Sequence, residues 1–127
     1  MEITFLNHRD LDHYEKLHPR LKEVLKWVHE FLGGRYDKLT YTSIYRHLAD
    51  EKAKGRSGVH GLHRAADIVL PNFQWRDYAP LTLLINDIFD YGDGGKHQVA
   101  FADPHGTGPH LHLQARDGTQ KRLIKET

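Results

Sequence analysis

The chain has 127 residues, of which 39% are hydrophobic and 28% are charged, as is typical of a folded globular domain. Its 18 basic and 17 acidic residues leave a formal net charge of +1, which argues against a nucleic-acid partner. Cysteine is absent, so disulfides and thiolate metal sites are excluded, and a transition metal would have to bind imidazole and carboxylate groups. We therefore expect one domain over residues 1–127, and eleven histidines make metal binding worth testing.

The first ten residues, MEITFLNHRD, lack the basic start and apolar run of a signal peptide. No later segment approaches the run of about 20 apolar residues that a membrane span needs. We expect a chain made in the cytoplasm without its own signal peptide, monomeric and without a membrane partner.

Apolar residues recur at helical spacing from Pro19 to Gly33 and again from Ala79 to Gly92. Four other segments are rich in β-branched, aromatic or alternating apolar residues, which predicts strands within 38–48, 66–70, 92–103 and 110–116. The order helix, strand, strand, helix, strand, strand predicts an α+β fold, with a small antiparallel sheet and helices packed on one side of it.

The segment GPHLHLQ predicts a strand that presents two imidazoles together. Successive strand side chains point to opposite faces, so His110 and His112 would share one face and Leu111 and Leu113 the other. The leucines are expected in the core. A His-x-His pair also arises by chance in a histidine-rich chain, so the pair alone does not identify a metal site.

The segment SGVHGLHRAADIVL places His60, His63 and Asp67 at the start of a buried strand. One imidazole and the carboxylate from this segment, with an imidazole from GPHLHLQ, could surround one zinc ion and leave a fourth position for water. The simpler interpretation of His60 and Asp67 is a loop histidine hydrogen-bonded to an aspartate that caps the strand. His63 is expected in a pocket wall or at the surface.

Three segments in this order, TSIYR, HGLHRAAD and HLH, resemble motifs of the zinc D-Ala-D-Ala carboxypeptidase and L-alanyl-D-glutamate endopeptidase family. The resemblance covers about residues 41 to 114, and it implies the Hedgehog/DD-peptidase fold. It implies one Zn²⁺ per chain, bound by His60, Asp67 and His112. It further implies that Arg46 holds a substrate carboxylate or the developing oxyanion, and that His110 helps to stabilise that oxyanion. A surface arginine paired with Asp50 or Glu51 is the alternative interpretation of Arg46.

The general base is the part of this family pattern that the sequence does not supply at its usual place. The family has Glu or Asp three or four residues before the last histidine motif, where this chain has Thr107 and Gly106. Asp103 and His105 are the nearest titratable candidates, if a loop brings one of them to the metal. The alternative is a site that binds metal without turnover.

The function predicted from these motifs is a zinc peptidase that cleaves stem peptides of bacterial peptidoglycan, as a phage-type endolysin or a virion-associated wall hydrolase. It would act on the wall after release or as part of a virion. A non-catalytic zinc-binding module of the same fold is the main alternative, and a zinc hydrolase of phosphoesters or amides is a third. The remaining histidines, at positions 8, 13, 18, 29, 47 and 97, are expected to be solvated.

Overall fold

The structure is a computed structural model that describes residues 1–44, 63–105 and 108–122. Its elements, in chain order, are β1 (Glu2–Phe5), α1 (Arg9–Glu15), α2 (Pro19–Leu32), β2 (Lys38–Ser43), β3 (Ala65–Val69), a 3₁₀ turn (Trp75–Tyr78), α3 (Ala79–Ile88), β4 (Phe89–Asp90), β5 (Ala100–Asp103), β6 (His110–Gln114) and β7 (Gln120–Lys121). The described chain is therefore α+β, which confirms the predicted class.

Five strands form the main sheet in the order β1-β2-β3-β6-β5, and β4 pairs with β7 in a separate two-stranded sheet. The predicted antiparallel arrangement holds for the pairs β2–β3, β3–β6 and β5–β6. It is wrong for β1, which runs parallel to β2. The intervening α1 and α2 return the chain to the starting end of the sheet, and such a crossover is what parallel neighbours require.

The two faces of the main sheet differ in polarity. One face contributes fully buried residues such as Tyr41, Ile68, Leu111 and Leu113 to a single hydrophobic core with the buried side chains of α2 and α3. The opposite face carries Asp67, His110 and His112, because successive side chains of a strand point to opposite faces of the sheet. Burial of Leu111 and Leu113 confirms that the two histidines of β6 lie on the face away from this core.

Helix α2 forms as its sequence predicts. Pro19 occupies the first turn, where a missing N–H costs nothing, and the His18 Nδ1 atom accepts a hydrogen bond of 3.1 Å from the Arg20 N–H. Its buried face consists of Leu21, Val24, Leu25, Val28 and Leu32. Among the described helices, none combines the length and the apolar character that a membrane crossing needs.

Two predicted element boundaries are corrected by the structure. Helix α3 ends at Ile88 and not at Gly92, because Phe89 adopts an extended conformation and pairs with Lys121 of β7. Strand β2 ends at Ser43, after a register irregularity between Tyr41 and Ser43. The rest of the predicted strand, residues 45–48, lies outside the described residues. Both β1 and α1 are elements that the sequence patterns did not predict.

Two side chains form hydrogen bonds with backbone groups on the outer edge of β5. The Asn86 amide accepts from the Ala100 N–H at 2.9 Å and donates to the Ala100 carbonyl at 2.8 Å, as a neighbouring strand would. The Trp75 indole N–H donates to the Ala102 carbonyl at 3.3 Å. These bonds satisfy backbone groups that an edge strand would otherwise offer to another chain.

We expect Asn86→Ala to lower the free energy of unfolding by about 1–3 kcal/mol, because it leaves both polar groups of Ala100 without their partner. Urea unfolding measures the change. Asp87→Ala, an exposed substitution on the same helix, is the matched control and should cost under about 0.5 kcal/mol. Equal stability of the two variants would show that the Asn86 amide does not stabilise this edge.

Candidate metal centre

The site is built on the pairing of β3 with β6. Asp67 lies directly opposite His112 in this antiparallel register, so the two side chains leave the sheet side by side on the same face. The His112 Nδ1 atom is 2.9 Å from the Asp67 Oδ1 atom. The sequence predicted that these two residues act together, and the structure places them in contact.

His110 joins the pair from two residues earlier on β6. Its Nε2 atom is 3.7 Å from Asp67 Oδ2 and 3.7 Å from Asp103 Oδ2 on the neighbouring strand. These separations are too long for direct hydrogen bonds, but they place one imidazole nitrogen between two carboxylates. The Gly108 carbonyl, 3.1 Å from His110 Nδ1, accepts a hydrogen bond from that nitrogen, which leaves Nε2 facing the carboxylates.

Burial makes the charge of Asp67 chemically significant. Its side chain is 4% exposed, whereas the carboxylate of Asp103 is 31% exposed. A buried carboxylate is stable only if it is paired or bound to a cation, and both oxygens of Asp67 face imidazole nitrogens. The group is therefore a strong candidate for binding a positive species.

His112 is contacted on three sides. Its Nε2 atom lies 3.0 Å from the Gln114 Oε1 atom, opposite the contact with Asp67. The ring of Phe101 stacks on it, with centroids 4.4 Å apart and an interplanar angle of 25°. These contacts fix the rotation of the imidazole plane as well as its position.

Donor types and spacings at this site fit a zinc ion. Imidazole nitrogen and carboxylate oxygen are common zinc ligands, and donors on one tetrahedral ion lie about 3.3 Å apart. The spacing of 2.9 Å between Asp67 Oδ1 and His112 Nδ1 is about 0.4 Å shorter than that value. Within residues 1–44, 63–105 and 108–122, however, no three His, Cys, Asp or Glu side chains are arranged to hold a metal ion.

Two residues expected in the site lie outside the described residues. They are His60, the third expected ligand, and Arg46, the expected substrate-binding arginine. Their places in the site therefore remain predictions from the sequence motifs.

Of the two candidate bases, Asp103 is the one whose side chain reaches the site. Its Oδ2 atom faces His110, and its Oδ1 atom accepts a 2.8 Å hydrogen bond from the backbone N–H of His105. The His105 residue itself is exposed at the end of β5. The pairing of Asp103 with His110 between β5 and β6 thus places the Asp103 carboxylate beside the imidazole of His110.

His63 pairs with another histidine. Its Nε2 atom is 3.0 Å from Nδ1 of His13 on α1, and its backbone has a φ of +56° in the left-handed region. The prediction that all remaining histidines are solvated is wrong for three of them. His13 contacts His63, the His29 Nε2 atom lies 2.6 Å from the Tyr41 hydroxyl, and the His18 Nε2 atom lies 2.7 Å from Asp117 Oδ1. Burial lowers the pKa of His29, and burial with nearby His13 and Lys16 lowers that of His63.

The sequence patterns did not identify two residues that touch His112. Gln114 follows His112 by two positions, so extending the period of the strand would have placed it on the same face. Phe101 lies opposite His112 on β5, and no local signal predicts that pairing.

Comparisons with protein-family models, with curated proteins and with solved structures find no match for this chain. Inferences about its function therefore depend on the sequence motifs and on the geometry of the described residues.

We expect the protein to lose stability as the pH falls below about 6.5, the ordinary pKa of histidine. His29 and His63 have lowered pKa values in the folded chain, so the unfolded chain binds more protons in the interval between those values and about 6.5. The contribution of these two histidines to the free energy of unfolding is fully present above that interval and is lost as the pH falls through it. Urea unfolding at a series of pH values measures the slope.

The double variant His29→Gln, His63→Asn should flatten this slope, and Asn is chosen because it tolerates the left-handed backbone at position 63. His8→Gln removes an exposed imidazole and is the matched control. A double variant with the same pH slope as the control would refute the assignment to these two histidines.

Proposed function

We propose that the protein is a zinc-dependent peptidase that cleaves stem peptides of bacterial peptidoglycan, with a domain of the Hedgehog/DD-peptidase type. The observation that carries the proposal is the buried carboxylate of Asp67, which faces His112 at 2.9 Å and His110 at 3.7 Å. The order of the motifs TSIYR, HGLHRAAD and HLH supports the same class of enzyme.

Asp67 and His112 would hold the ion together with His60. When bound, zinc would act as a Lewis acid that polarises the scissile carbonyl, and it would lower the pKa of a bound water molecule towards about 7. The buried carboxylate reduces the positive charge of the centre. The strands β3 and β6 keep the two ligands in register, because both residues are paired inside a sheet.

The remaining residues would transfer protons and stabilise negative charge during the reaction. Asp103 would accept the proton of the attacking water and would then give that proton to the leaving amine, directly or through His110. His110 is oriented by the Gly108 carbonyl so that its Nε2 atom faces the site, where its protonated form can donate to the oxyanion. Arg46 would hold a substrate carboxylate or the oxyanion through its planar guanidinium.

A second candidate is a zinc-binding module without catalysis, with a structural or protein-binding role. It is favoured by Gly106 and Thr107, which stand where the family carries its carboxylate base. The two candidates differ in whether an acid or base reaches the water molecule at the metal.

The first test is hydrolysis of purified peptidoglycan with one equivalent of zinc, before and after a chelator, with the fragments read by mass spectrometry. We expect cleavage that depends on zinc, and the fragment masses identify the bond. His112→Ala should abolish both zinc binding and cleavage. Stoichiometric zinc binding by the unmodified chain without cleavage would favour the binding module.

The second test compares the two candidate bases. Asp103→Asn retains an oxygen that can accept from the His105 N–H, and it should lower turnover about 10²–10⁴-fold with zinc still bound. His105→Gln should lower turnover less, because His105 is exposed. Full activity of both variants would reject the assignment of the general base to Asp103 or His105.

A further inference from the structure

Gln114 makes two hydrogen bonds that determine the orientation of its own side chain. The residue lies at the end of β6 and is only 6% exposed. Its Nε2 atom lies 2.8 Å from the backbone carbonyl of Gln98. A carbonyl oxygen can only accept, so the NH₂ group of the Gln114 amide must be the end that faces Gln98.

The other end of the amide then determines which His112 nitrogen carries a hydrogen. With its NH₂ group on Gln98, Gln114 turns its Oε1 atom to His112 Nε2, at 3.0 Å. Since Oε1 can only accept, His112 Nε2 must donate an N–H. Nδ1 is then the ring nitrogen that faces Asp67 Oδ1, at 2.9 Å, and a cation that replaces the hydrogen between these two atoms would bind Nδ1.

We propose that Gln114 is a positioning residue that selects Nδ1 of His112 as the zinc-binding atom and holds it towards Asp67. The inference rests on the proposed function, because it assigns a role to a residue that contacts the proposed zinc ligand His112. Metal-binding histidines commonly donate their second ring N–H to an oxygen acceptor, and that bond fixes both the ring and its tautomer.

Competition at His112 explains why such a residue is needed. The Asp67 carboxylate is an acceptor, and alone it would favour a neutral His112 that carries its hydrogen on Nδ1, which blocks that atom for metal binding. An acceptor at Nε2 keeps a hydrogen on that nitrogen, so Nδ1 is the nitrogen that would give up its hydrogen to a cation. Stacking on Phe101 holds the ring plane, but a ring face cannot distinguish the two nitrogens, so Gln114 provides the selection.

The test measures zinc affinity by competition with a chelating indicator, using the full chain and three variants. Gln114→Met retains the length of the side chain but removes the acceptor, and we expect its zinc affinity to fall about 10–100-fold. Gln114→Glu retains an oxygen acceptor for His112 Nε2–H but loses the donor to the Gln98 carbonyl, so its zinc affinity should fall less than that of Gln114→Met. Gln120→Met, at an exposed position on β7, is the matched control and should bind zinc like the unmodified chain.

A second measurement reports on the ring without depending on metal. In ¹⁵N-labelled protein, the His112 Nε2–H should exchange slowly with water in the unmodified chain and rapidly in Gln114→Met, with zinc bound or absent. The amide spectrum of each variant, recorded on the same sample, shows whether the variant is folded. Loss of the hydrogen bond can therefore be distinguished from general unfolding.

The outcomes distinguish the two proposals. If the unmodified chain binds zinc and Gln114→Met binds it equally tightly, the role of Gln114 is refuted and the peptidase proposal stands. If the unmodified chain binds no zinc, the proposed function fails, and a slowly exchanging His112 Nε2–H that Gln114→Met loses would still support the positioning of the ring. If both Gln114 variants lose zinc equally, the acceptor is not what matters, and the inference is wrong.

Discussion

The site depends on one buried charge. The Asp67 carboxylate is placed inside a sheet, where a charge without a partner is expensive, and its two oxygens face nitrogens of His112 and His110. The strand pairing that places Asp67 opposite His112 determines which side chains can meet it. Contacts with Gln114 and with the Gly108 carbonyl hold His112 and His110, respectively, from the ring nitrogen that faces away from Asp67.

The division of the sheet into two unlike faces makes such a site compatible with a stable fold. Leu111 and Leu113 lie in the hydrophobic core, so β6 is anchored on one side while its histidines occupy the other. A slip of one residue in this pairing would move the imidazoles into the core and the leucines out of it. The apolar contacts that stabilise the fold therefore also hold the register of the site.

The sequence predicted part of the site because strand periodicity is a local property. Alternation in HLHLQ was sufficient to place His110 and His112 on one face, and the apolar run after Asp67 was sufficient to predict the strand that carries it. The same period extended to Gln114 would have found a third residue. Phe101 and Asp103 belong to a different strand, and their contacts with the histidines depend on a pairing that no local pattern encodes.

By itself, the sequence determined the α+β class, the helix from Pro19, the buried leucines of β6 and the shared face of its histidines, because these follow from spacing along one element. Only the tertiary structure decided that β1 runs parallel to β2, that α3 ends at Ile88, and that His63 contacts His13. It also decided that Asp103, rather than the side chain of His105, faces His110. Each of these outcomes depends on contacts between residues distant in the chain or on the path of a turn, whose energies are set by packing and hydrogen bonding in the folded state.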